Sequence, residues 1–218
     1  MRSASFSLLT ILCLLLAVAP AVADTLYSNG PINGTTDAWP INSGSAVSDS
    51  FDDFCINSCK DVGDLHIGVW LFPGDNLGSV QMDLGSTPFG TDYFSGVLNA
   101  SGHTDLGINQ YGYDIQQIDF SFSTIQGVCC GFRWVTLSNA VETVNGDPIY
   151  WDENSGIGCQ SEFCPSTAFE NSVGSIPSEA FTLTGTSQSG TTPEPSSILL
   201  FGSGILGLVG IVRRRLSI

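Results

Sequence analysis

Leu65-His66-Ile67-Gly68-Val69-Trp70-Leu71-Phe72 is the stretch that decides the fold. Leu65, Ile67, Val69 and Leu71 alternate with His66, Gly68, Trp70 and Phe72. That period of two sends one set of side chains to one face of an extended chain, the signature of a half-buried strand. The same alternation recurs outward along the chain. Val80, Met82 and Leu84 carry it, then Ile118, Phe120 and Phe122, then Phe181 and Leu183. Phe94–Leu98 and Arg133–Val144 read as further strands, and Asn145-Gly146-Asp147-Pro148 as a turn that closes a hairpin between 133–144 and 149–152. No helical periodicity appears between the two ends of the chain. The 25 glycines and 10 prolines in 218 residues argue against a helical bundle. The expectation is an all-β, antiparallel β-sandwich, jelly-roll-like, over residues 24–184. The segment 24–51, with two Asn-Gly turns, should wrap that sheet in extended form.

The two ends read differently. Arg2 precedes an apolar run from Phe6 to Ala19, and Ala21-Val22-Ala23 places small residues where a signal peptidase cuts. Residues 1–23 therefore read as a secretory signal peptide, cleaved before Asp24. Residues 185–192 (GTSQSGTT for 185–192) are small and polar, a flexible linker by composition. Pro193-Glu194-Pro195 follows, then 17 uncharged residues, Ser196–Val212, and Arg213-Arg214-Arg215. A helix of that length is roughly 25 Å long, enough to serve as a single transmembrane helix when the arginines snorkel. The arginines belong on the cytoplasmic side, which leaves the body outside. Gly202-Ser203-Gly204-Ile205-Leu206-Gly207 matches a dinucleotide fingerprint in letters only, because no strand precedes it.

Pro193-Glu194-Pro195, the apolar segment with Phe201-Gly202-Ser203-Gly204, and Arg213-Arg214-Arg215 at the extreme end together resemble the PEP-CTERM sorting signal, an element also labelled an ice-binding-protein C-terminal domain. The resemblance spans about 25 residues, 193–218, and Thr192 stands where the family often has Val. It implies an exosortase, a transpeptidase-like membrane protease, as partner, with cleavage near the PEP motif and passage through the inner membrane to the cell surface or beyond. It says nothing about ice.

Without its two ends the chain keeps twenty acidic residues against Lys60 and Arg133, a net charge of −18. Such a surface repels polyanions, so nucleic acid is excluded as a partner. Six cysteines remain after the signal peptide: Cys55, Cys59, Cys129, Cys130, Cys159 and Cys164. In an exported chain an even count reads as disulfides rather than zinc ligands, with the connectivity open. Two local loops, Cys55–Cys59 and Cys159–Cys164, would leave a vicinal Cys129–Cys130 pair; alternatively the vicinal pair reaches both loops.

No residue pattern marks an enzyme. His66 and His103 are the only histidines, His66 on the outer face of a strand and His103 in a Gly-flanked turn, and no nucleophile elbow is present. Asp152-Glu153 reads as a polar turn after the 149–152 strand. No cofactor is implied beyond a candidate structural calcium at Asp49, Asp52 and Asp53, whose oxygens suit a hard cation. A carbohydrate-binding module is the alternative function, with extracellular polysaccharide as partner. Tyr111-Gly112-Tyr113 would put two rings on one strand face as a stacking platform, and Trp151 beside Asp152 would add a third ring. A secreted hydrolase is the second alternative. The leading expectation is a non-enzymatic cell-surface or matrix protein.

Overall fold

The alternating stretch forms the longest shared edge of the molecule. In the computed structural model, which describes residues 23–53, 59–129, 131–157, 159 and 163–187, it lies in strand β4 (Lys60–Leu71). Leu65, Ile67, Val69 and Leu71 are all fully buried, as the period of two requires. Twelve further strands accompany it: β1 (Asp24–Ser28), β2 (Ala38–Pro40), β3 (Ala46–Asp53), β5 (Leu77–Gly85), β6 (Phe94–Asn99), β7 (Gly102–Ile108), β8 (Asp114–Val128), β9 (Gly131–Glu142), β10 (Tyr150–Asp152), β11 (Ala168–Glu170), β12 (Gly174–Ile176) and β13 (Phe181–Ser187). Among the described residues there is no helix, hence none long and apolar enough to cross a membrane. Residues 1–22 of the expected signal peptide (1–23), the PEP element and the expected transmembrane segment 196–212 lie outside the described residues.

Two antiparallel sheets result. In the first, β4 pairs with β8 along one edge and with β13 and then β10 along the other; β7, β1 and β2 extend it outward. The second runs β12-β11-β3-β9-β5-β6. Both contribute to one apolar core: Ile67, Phe120 and Phe181 from the first sheet pack in the same cluster as Val80, Met82 and Leu137 from the second. This is a β-sandwich-like body, stabilised chiefly by removal of those side chains from water.

Three local expectations are corrected. Residues 133–144 and 149–152 do not form a hairpin, because β9 lies in the second sheet and β10 in the first. Glu142 is the cause: its carboxylate accepts the backbone N–H groups of Val144, Asn145 and Gly146, which turns the chain off the sheet. Ile149 is then tied to the other layer through its N–H to Asn42 Oδ1 and its carbonyl to the Ile41 N–H. The body also extends past 184. Gly185–Ser187 continue β13 opposite Val62, Asp61 and Lys60. Gly185 is needed there, since a Cβ would stand 2.0 Å from the Asp61 carbonyl oxygen. Finally, His103 lies in β7 opposite Ile118 rather than in a turn.

The segment after β1 does wrap the sheet. Residues 29–37 cross the outer face of the first sheet, where Gly68 makes room: a Cβ at that position would meet Ile32 Cγ2 at 2.6 Å and Asp152 Cβ at 2.8 Å.

Candidate functional site

Four strand ends and the 29–37 crossing meet at one acidic junction. Asn29 anchors it: its backbone N–H reaches the Phe181 carbonyl, and its side-chain amide donates to the Glu179 carbonyl and to Ser166 Oγ. Asp49 of β3 is fully buried there, with its carboxylate held by Ser166 Oγ, Asn29 Nδ2 and the Glu179 N–H. Burial pushes the Asp49 carboxyl up to about 7 despite those donors. Asp152 is equally buried, and Trp70 Nε1–H (2.7 Å) and the N–H groups of Asn33 and Gly34 satisfy it. Burial raises its carboxyl as well.

Glu153 and Glu179 complete the junction. They oppose each other across an antiparallel bridge, which is flanked by Ala180 N–H to the Asp152 carbonyl and Asn154 N–H to the Ser178 carbonyl. Glu179 is 0% exposed and Glu153 is 7% exposed. Among the described residues neither carboxylate oxygen of Glu179 has a hydrogen-bond partner. Burial, then the charges of Asp49, Glu153, Asp152 and Asp37, hold the Glu179 carboxyl well above the ordinary range. Asp152-Glu153 is therefore no solvated turn. The alternation of a strand end sends the two acids to different buried partners.

Of the candidate calcium residues, Asp49 and Asp52 are not brought together. Asp49 and Asp52, three apart on β3, leave the strand on opposite sides. Asp49 faces its three donors, whereas Asp52 lines a cleft of about 180 Å³ beside Phe51, Phe132 and Phe163. Asp53 pairs through its backbone with Gly131. Among the described residues no group of three His, Cys, Asp or Glu side chains is placed to hold a metal.

The aromatic residues are gathered, but differently from expectation. Trp151 is 0% exposed, its ring against Phe181 and its Nε1–H on the Ala180 carbonyl, so it offers no face to a ligand. Tyr111 and Tyr113 sit in the turn between β7 and β8, not on a strand. Asn109 Oδ1 accepts the N–H groups of both, and Gly112 takes the positive φ (88°) that this turn needs. The turn folds Tyr111 onto Trp70 (centroids 5.5 Å, interplanar 23°), and Tyr113 contacts Trp70, Phe72 and Tyr150. Tyr111 is 56% exposed, so one face of its ring is open. Trp70, on the outer face of the 65–72 alternation, is the ring on which this aromatic cluster is built.

His66 sits on the outer face of β4, as expected, with Nδ1 2.6 Å from Asp119 Oδ1. Partial burial pushes Asp119 up, but hydrogen bonds from His66 and Gln117 outweigh it and keep its pKa low. Thr182 of β13 stands opposite His66 in register, yet its hydroxyl bonds Ser28 Oγ.

Among the described residues two disulfides are formed, Cys59–Cys129 and Cys159–Cys164. The first joins the start of β4 to the residue after β8, a link between a loop cysteine and one member of the vicinal pair; the second is the local loop. Cys55 and Cys130 lie outside the described residues.

Comparison with known families matches residues 191–215 to the PEP-CTERM protein-sorting motif. The match contains Pro193, Glu194, Pro195 and Arg213–Arg215, and it covers none of the β body. No curated protein matches the chain.

Proposed function

We propose that the chain is an exported cell-surface or extracellular-matrix protein, delivered through its C-terminal tail and structural or adhesive rather than catalytic in role. The observation that carries this reading is the PEP-CTERM match at 191–215 behind a disulfide-bonded β body. An exosortase-type protease in the inner membrane would read Pro193-Glu194-Pro195. Ser196–Val212 would hold the precursor in the bilayer as a single helix, and Arg213–Arg215 would keep the end cytoplasmic. Cell fractionation tests this. Glu194→Ala, or replacement of the three arginines by Ala, should leave full-length precursor in the inner membrane; normal release from both variants would overturn the sorting role.

A second reading is binding of a neutral extracellular polysaccharide, as in jelly-roll-like carbohydrate-binding modules. The open ring face of Tyr111, backed by Trp70, favours it, since sugar C–H faces stack on aromatic rings and the acidic surface disfavours polyanions. A glycan array of the mature protein decides. Saturable binding lost in Tyr111→Ala supports it, and a blank array leaves the structural role alone.

A further inference from the structure

Among the described residues, both Glu179 carboxylate oxygens and Ser178 Oγ lie buried at the acidic junction without a hydrogen-bond partner. Trp39 pairs with Trp151 in register and its indole lies against Glu153. A buried carboxylate without a partner costs far more than a hydrogen bond is worth, and an unpaired group in a native interior calls for a missing water, proton or ion. Here the difficulty is doubled, because Glu153 is a second carboxyl directly opposite the first, where like charges repel. The neighbouring acids bring no relief. Asp49 and Asp152 are already satisfied by protein donors, and they and exposed Asp37 add only negative potential.

We propose that Glu153 and Glu179 bind a divalent cation of the calcium type. Two carboxylates balance a charge of +2. The surroundings supply oxygen rather than sulfur or imidazole, the ligand set of a hard cation. Because no third acidic, His or Cys side chain converges among the described residues, main-chain carbonyls and water complete the shell of six to eight oxygens. The ion clamps the β10 end to the segment before β13, which closes the first sheet over the 29–37 crossing. This site is independent of the sorting reading.

The probe is calcium chloride, added to the mature protein after EDTA treatment at pH 8 and constant ionic strength. The expected result is a saturable rise in Tm, roughly 5–10 °C at a hundredfold excess over Kd, with one ion per chain by calorimetry. Glu153→Gln and Glu179→Gln should each weaken calcium binding at least tenfold, while Asp105→Asn, an exposed acid on β7, should not. If Glu179→Gln fails to fold, the wild-type stoichiometry and Glu153→Gln still decide. No calcium-dependent shift, or binding indifferent to both glutamine variants, overturns the proposal. So does equal stabilisation on lowering the pH from 8 to 5 with and without calcium, which would assign the pair a shared proton instead.

Discussion

Removing the Cys59–Cys129 bond should cost about twice as much stability as removing Cys159–Cys164. The two bonds differ in the loop they close, 70 residues for the first and 5 for the second. In the chain-entropy account a cross-link acts on the unfolded ensemble, and its effect grows with the logarithm of loop length. For these loops it amounts to roughly 4 and 2 kcal/mol. Both Cys59 and Cys129 are half-buried, so Cys59→Ser/Cys129→Ser removes little packing and isolates the cross-link term. The assay is equilibrium urea unfolding of oxidised protein followed by tryptophan fluorescence. With a slope of about 2 kcal/mol/M, the long-loop variant should lose about 2 M in midpoint and the short-loop variant about 1 M. If the short-loop variant loses as much as the long-loop one, the entropic reasoning is wrong, and the long bond matters only through local contacts between β4 and β8.

In EDTA, the body should be more stable at pH 5 than at pH 8. Burial raises the folded-state pKa of Asp49 to about 7 and lifts Asp152, Glu153 and Glu179, so the folded chain keeps protons that the unfolded chain releases from about pH 4 upward. Stability therefore falls as pH rises from about 4 through 7. Asp49 alone accounts for roughly 4 kcal/mol at the upper limit, and a midpoint that climbs steadily from pH 5 to 8 would contradict the buried cluster. Gly68→Ala should cost about 1–3 kcal/mol by overpacking against Ile32 and Asp152, read as a drop in Tm. Trp151→Ala should cost about 3–5 kcal/mol through the cavity it leaves. A soluble Trp151→Ala variant of undiminished Tm would show that the core assignment is wrong.

The strands and the address were legible in the linear chain because both are local. Alternation at Leu65–Leu71 reports which side chains face inward without reference to any partner, and the PEP element is read as a contiguous string. What the alternation lacks is a partner. Nothing near Glu142 in sequence says that its carboxylate will cap its own turn and throw residues 149–152 into the opposite sheet. Asn29, Asp49, Glu153 and Glu179 are scattered over 150 residues, and only sheet register sets them side by side. The partner of Cys59, the burial of Trp151 and the stacking of Tyr111 on Trp70 were decided in the same way. Patterning is a property of neighbours along the chain, whereas a site is a property of neighbours across it.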